Sequence, residues 1–196
     1  MNRIGTVHRV TSETDVRVGL LVDGVGKAEI ATGIGFLDHM LTAFAKHALF
    51  DLTIAARGDL EIDAHHTTED VGIVLGQALR DALGEKRGIC RFGHALVPMD
   101  EALVEAAVDL SGRAHLSWAI VFPGSRLGTM DTELFREFFS ALATNALLTL
   151  HLIKRAGENG HHLAEATFKA TARALSMAVA REPRMGDSAP STKGQL

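Results

Sequence analysis

His65-His66-Thr67-Thr68-Glu69 and His161-His162-Leu163-Ala164-Glu165 carry one pattern twice in a single chain, His-His-x-x-Glu, and that repeat decides how the rest is read. The same order of elements flanks both copies. Ahead of the first, residues 16–22 and 27–31 are extended runs around an Asp23-Gly24 turn signal, which predicts a hairpin. Residues 36–48 place Leu37, Met40, Leu41, Phe44 and Ala48 at helical spacing, 51–56 form a short apolar strand, and 67–83 read as a helix ended by Gly84. Ahead of the second copy, residues 103–110 and 114–121 flank Ser111-Gly112-Arg113 as another hairpin. A helix over 132–146, a strand over 148–154 and a helix over 163–180, stopped before Pro183, complete the series.

Residue matches accompany the element order. At one fixed offset Ala43, Ala45, Ala48, Leu49 and Leu52 fall on Ala141, Ala143, Ala146, Leu147 and Leu150. At a slightly shorter offset His65, His66, Glu69, Ala78 and Leu79 fall on His161, His162, Glu165, Ala174 and Leu175. Helix propensity alone gives two segments common Ala and Leu, but it does not give them a common His-His-x-x-Glu. The reading is an α+β fold made by internal duplication of a ββαβα unit, with helices packed on sheet faces. Its halves are residues 1–90 and 91–182, forming one compact domain, followed by a tail at 183–196.

Composition narrows the function. The 196 residues are 46% hydrophobic and 22% charged with 4 Pro, enough apolar material for a core and too much for a disordered chain. A net charge of -4 gives no global case for nucleic acid or a membrane surface as partner. The absence of Tyr and the single Trp argue against a base-stacking platform. Cys90 alone excludes an internal disulfide and a Cys-rich zinc site, and suits a reducing, cytoplasmic setting. Met1-Asn2-Arg3-Ile4-Gly5 shows no signal-peptide pattern, and no apolar run approaches the roughly 18 residues of a membrane span.

The His-rich repeats have metal-ligand spacing. Residues i and i+4 share a helix face, so His65 pairs with Glu69 and His161 with Glu165. The adjacent His66 and His162 are turned by about 100° and must face elsewhere. Under a pseudo-twofold the two would exchange, His66 completing the site on His161 and Glu165, and His162 the site on His65 and Glu69. His39, and its counterpart Glu137, supply a further ligand each. Site one is then His39, His66, His161 and Glu165; site two is His65, Glu69, Glu137 and His162. Imidazole and carboxylate without thiolate suit Mn, Fe or Zn, with coordination positions left for a substrate. A lone His more often caps a helix or sits in solvent. Two copies of the pattern reverse that expectation, while Glu137 beside Arg136 also reads as an exposed helix charge.

At these residues the chain resembles the imidazoleglycerol-phosphate dehydratase family. The matches are Gly33-Ile34-Gly35-Phe36-Leu37-Asp38-His39-Met40-Leu41, Asp63-Ala64-His65-His66-Thr67-Thr68-Glu69-Asp70, and His161 onward with Phe168-Lys169-Ala170. Pro98-Met99-Asp100-Glu101-Ala102, Ser111-Gly112-Arg113 and Ser191-Thr192-Lys193-Gly194 extend them over nearly the whole chain. The resemblance implies ribosomal protein S5 domain 2-like halves with helices between two four-stranded sheets. It implies a cytoplasmic lyase of histidine biosynthesis that converts D-erythro-imidazole-glycerol phosphate to imidazole-acetol phosphate and water. Two Mn2+ ions per active site, bridged by the substrate imidazolate, and a homo-oligomer of about 24 subunits with active sites between them are implied as well.

By position, the family's metal ligands fall on His39, His65, His66, Glu69, His161, His162 and Glu165, in agreement with internal symmetry. The eighth is a His in a His-Phe-Phe stretch, which here reads Glu137-Phe138-Phe139, a departure. Substrate contacts fall on Glu13, His47, Arg91, Arg113, Lys169, Ser191 and Lys193, beside the metal-site residues His39, His65, Glu69 and His161. Guanidinium, ammonium and hydroxyl groups suit a phosphomonoester. Glu13 is the first candidate for moving protons and Glu165 the second. Without the resemblance, residues 191–193 read as a frayed tail, Arg91 and Arg113 as solvated turn charges, and Glu13 as the start of a strand. Two other functions stay open on residues alone: a dinuclear hydrolase of a phosphate ester, revealed by phosphate release, and a metal-dependent structural oligomer without turnover.

Overall fold

Alternation writes one strand of each half most clearly. β2 (Thr14–Leu21) buries Thr14, Val16, Val18 and Leu20, and β6 (Ala102–Asp109) buries Ala102, Val104, Ala106 and Val108, so each presents one apolar face to a helix layer. The structure, a computed structural model, describes residues 2–194. Its first half adds β1 (Ile4–Val10), β3 (Ala28–Ala31), α1 (Gly35–Ala48), β4 (Asp51–Gly58) and α2 (His65–Leu83). Its second half adds β5 (Phe92–Met99), β7 (His115–Ala119), a small ribbon of β8 (Arg126–Leu127) and β9 (Met130–Asp131), α3 (Glu133–Ala146), β10 (Thr149–Ala156) and α4 (Gly160–Val179). The two four-stranded sheets have matching orders, β1-β2-β4-β3 and β5-β6-β10-β7.

Both expected hairpins are corrected by this pairing. The antiparallel hairpins are β1–β2 and β5–β6, each using a strand ahead of those read from the sequence. β3 and β7 instead run parallel to β4 and β10 at the far edge of each sheet. Asp23-Gly24 and Ser111-Gly112-Arg113 are therefore not hairpin turns.

The duplication is visible in local geometry. α1 and α3 end at Leu49 and Leu147, both left-handed (φ 61° and 52°), with N–H groups on the carbonyls of Ala45 and Ala143. Gly5 lies against α2 so closely that a Cβ would stand 1.9 Å from the Ala78 carbonyl oxygen, and Gly93 meets Ala174 of α4 at the same 1.9 Å. Only glycine permits that approach of strand to helix.

α2 lies on β1 and β2, and α4 on β5 and β6. Between the sheets the helices cross over, α2 packing against α3 and α1 against α4. Phe138 and Phe139 of α3 meet Phe168 of α4 at ring distances of 5.3 and 4.8 Å, closing the core. This crossover faces the first helix of each half with the His-bearing helix of the other. No helix among the described residues is long and apolar enough to cross a membrane.

Candidate metal centre and phosphate cavity

Packing of α1 on α4 brings His39 to the first turns of α4. His39 Nε2 and His161 Nε2 stand 3.3 and 3.2 Å from one oxygen of Glu165, Oε2. Ligand atoms of these three residues all lie within 4.8 Å of one another, the one such group among the described residues. Glu165 is buried, whereas the two imidazoles are half-exposed, at 52% and 47%. Its other oxygen takes Lys169 Nζ at 2.6 Å. Burial pushes the Glu165 carboxyl up, and Lys169 with the two imidazoles outweighs it, so the group is held below its ordinary value.

His66 is not part of this trio within one chain. Its Nδ1 bonds Asp59 Oδ2 at 2.9 Å, with Glu13 Oε2 at 3.9 Å from the same nitrogen. His162 Nδ1 bonds Glu101 Oε2 at 2.7 Å, and its Nε2 stands 3.6 Å from Asp100. The Asp59 hydrogen bond raises the pKa of His66 and the Glu101 bond that of His162, while Glu101 itself, bonded by His162 and by backbone N–H, is pulled down to about 2. Each outer imidazole is thus held through Nδ1 by a carboxylate, the arrangement that steadies a ring ligating through Nε2.

His65, Glu69 and Glu137 are half-buried on the packed pair α2 and α3, with Asp63 accepting from the His65 N–H at 2.7 Å. They form no ligand-range group with His162 among the described residues. His47, in the last turn of α1, has its pKa lowered by burial and by the charges of Lys169 and Arg173 on α4.

The remaining expected contacts gather elsewhere. Arg91, Ser111, Arg113, Ser191 and Lys193 line a cavity of about 400 Å³. Arg91 holds Asp109 through two nitrogens at 2.7 and 3.1 Å and the Pro190 carbonyl at 2.9 Å, so it ties the tail onto β6. The Arg91 N–H bonds Ala178 at the far end of α4. At roughly 1.5 Å per residue, that end is about 25 Å from the His161 cluster. Gln195 and Leu196 of the tail lie outside the described residues.

Sequence reasoning missed Asp59, Asp109 and the part played by Glu101. A signal existed for Glu101: aligning Gly5 with Gly93 places Glu13 on Glu101.

A cation fits the trio, because two imidazole lone pairs and a carboxylate oxygen already converge within ligand range and no thiolate is present. Fold and site together define a duplicated α+β protein whose helix heads carry imidazole and carboxylate groups suited to a metal. The family profile described as imidazoleglycerol-phosphate dehydratase matches residues 32–175. Imidazoleglycerol-phosphate dehydratase of Granulibacter bethesdensis is 68% identical over 196 residues, covering 100% of both chains. That of Gluconacetobacter diazotrophicus is 61% identical over 194 residues, 99% of this chain and 98% of its own. Crystal structures of the enzymes from Staphylococcus aureus and Pyrococcus furiosus superpose with a TM-score of 0.83 each, at 41% and 39% identity. They cover 91% and 97% of this chain, and 99% and 100% of their own. The chain belongs to the imidazoleglycerol-phosphate dehydratase family.

Proposed function

We propose that the chain dehydrates D-erythro-imidazole-glycerol phosphate to imidazole-acetol phosphate in histidine biosynthesis, using two Mn2+ ions at active sites shared between copies of the chain, about 24 in the assembly. The observation that carries this reading is the convergence of His39, His161 and Glu165 in a chain of this family. His39, His161 and Glu165 would hold one ion with His66 of another copy, and His65, Glu69 and Glu137 the other with a second copy's His162. Bound Mn2+ supplies Lewis acidity that favours loss of a ring proton near neutral pH.

The chain's own groups do the rest. Lys169 keeps Glu165 ionised. Arg113, Lys193 and Ser191 bind the phosphate, with Arg91 shaping their cavity through Asp109 and the tail. Glu13, half-exposed at 51% and next to His66, takes the carbon-bound proton, the ring proton leaves with hydroxide as water, and once the enol has relaxed to the ketone Glu13 returns its proton to the ring. The phosphate cavity lies about 25 Å from the cluster of its own chain, too far for one small substrate to reach both. Neighbouring copies must then supply the two ends, which is the reason for a homo-oligomer.

Mixing variants tests this. Arg113→Ala and Glu165→Gln chains should each be inactive alone, yet after dissociation and reassembly together recover about a quarter of wild-type product formation. Wild-type protein should carry about two Mn2+ per chain. Release of inorganic phosphate, or turnover that survives complete metal removal, would overturn the assignment, and no recovery on mixing would overturn the shared site.

A further inference from the structure

The β1–β2 and β5–β6 turns occupy matching places. Glu13 precedes Thr14, which pairs with Gly58, and Glu101 precedes Ala102, against which Gly157 packs. Glu13 and Glu101 are thus counterparts, and so are Asp59 and Glu158, each following its glycine. The counterparts do different things. In the first half Asp59 takes the His66 hydrogen bond, and the Glu13 carboxylate stands 3.9 Å from the same nitrogen. In the second, Glu158 offers only a backbone N–H, and Glu101 holds His162 at 2.7 Å.

Both oxygens of Glu101 are used. Oε2 accepts from His162, and Oε1 accepts from the backbone N–H groups of Asn159 at 2.8 Å and Glu158 at 3.3 Å. Asn159 in turn caps α4, its Oδ1 accepting from the N–H groups of His161 and His162 at 2.9 and 3.3 Å. One carboxylate therefore fixes the His162 ring and the loop that launches both histidines. Gly157 (φ 112°) lets the loop come this close, since a Cβ there would lie 2.6 Å from the Ala102 Cα.

We propose that Glu101 is a positioning residue of the metal centre. It fixes the ring angle and the Nδ1–H tautomer of His162, leaving Nε2 to ligate the cation, while Asp59 does the same for His66 and so frees Glu13 for proton transfer. The inference rests on His162 being a metal ligand, as proposed above.

The experiment titrates metal-stripped wild-type, Glu101→Ala, Glu101→Asp and Glu101→Gln proteins with Mn2+ in a calorimeter. One of the two ions should bind about 10- to 100-fold more weakly in the alanine and aspartate variants. The glutamine variant, whose single amide oxygen can take the Oε2 place and accept from Nδ1–H while the bonds from the Asn159 and Glu158 N–H groups are lost, should bind that ion less than about tenfold more weakly than wild type and more tightly than the alanine variant. Glu101→Asp keeps the charge and the turn, so it carries the test should the alanine variant fail to fold. Wild-type affinity in both the alanine and aspartate variants, with only a lowered melting temperature, overturns the proposal. A glutamine variant as weak as the alanine one overturns it too, since the acceptor it keeps for Nδ1–H would then contribute nothing. Wild-type protein that takes up no Mn2+ overturns the ligand reading itself, and the same titration separates that result from a failure confined to Glu101.

Discussion

The heads of α2 and α4 carry the same His-His-x-x-Glu, yet their surroundings have parted. Glu165 is bonded by Lys169 one turn on, where the matching place after Glu69 holds Ile73. α1 brings His39 to Glu165, whereas α3 offers Glu137 at the equivalent point. The outer imidazole is held by Asp59 in one half and by Glu101 in the other. Duplication thus copied a backbone frame with its close strand–helix contacts, and the side chains around each His pair then took separate tasks. In the second half Glu165 is paired with Lys169, and in the first Glu13 lies beside His66 without taking its hydrogen bond.

That contrast breaks most readily at the two turn glutamates. Glu13→Gln should keep its metal binding and lose about 10²- to 10⁴-fold in turnover, while Glu101→Gln at saturating Mn2+ stays within about tenfold of wild type. Product formation alongside metal analysis reads both, and equal losses would erase the proposed division of labour. The shared frame is probed by Gly5→Ala and Gly93→Ala. Each forces a methyl against a helix carbonyl and should cost about 2–4 kcal/mol in urea unfolding, with closely similar losses at the two sites.

A smaller effect sharpens the ligand difference: Glu137→His should shift metal preference from Mn2+ toward Zn2+ by roughly tenfold or less in a competition titration. The smallest concerns Arg3, the counterpart of Arg91, which bonds Asp23 and the Val179 carbonyl. The Arg3 guanidinium holds the Asp23 carboxyl below its ordinary 3.8. Its stabilisation is therefore present above that value and lost as pH falls through the lowered one. Asp23→Asn should cost no more than about 1 kcal/mol at pH 7, and the difference from wild type should close in strong acid.

Helices and the His pattern were legible in the sequence because both rest on local spacing. The expected helix over residues 36–48 is α1 (Gly35–Ala48), and that over 132–146 is α3 (Glu133–Ala146). Strand pairing was not legible. β1 mixes Gly5, Thr6, His8 and Arg9 with its apolar residues, and β3 joins its sheet through a parallel partner that follows an intervening helix. The trio of His39, His161 and Glu165 followed from symmetry of the repeat. Asp59 and Glu101 did not, because the turns of the two halves align at a different offset from the helices, which hides the correspondence of Glu13 with Glu101. The place of His66 outside the trio was equally hidden, since ring direction depends on a carboxylate contributed by a neighbouring turn.

The crossing of α1 onto α4 and of α2 onto α3 means that neither repeat owns a cluster. Two separate copies of an ancestral unit would be condemned to identical genes, every change in one appearing in the other. Joined end to end, the copies can evolve apart while still meeting in fixed one-to-one proportion, so an asymmetric pair of tasks is inherited as a single locus and can never assemble with the wrong mate.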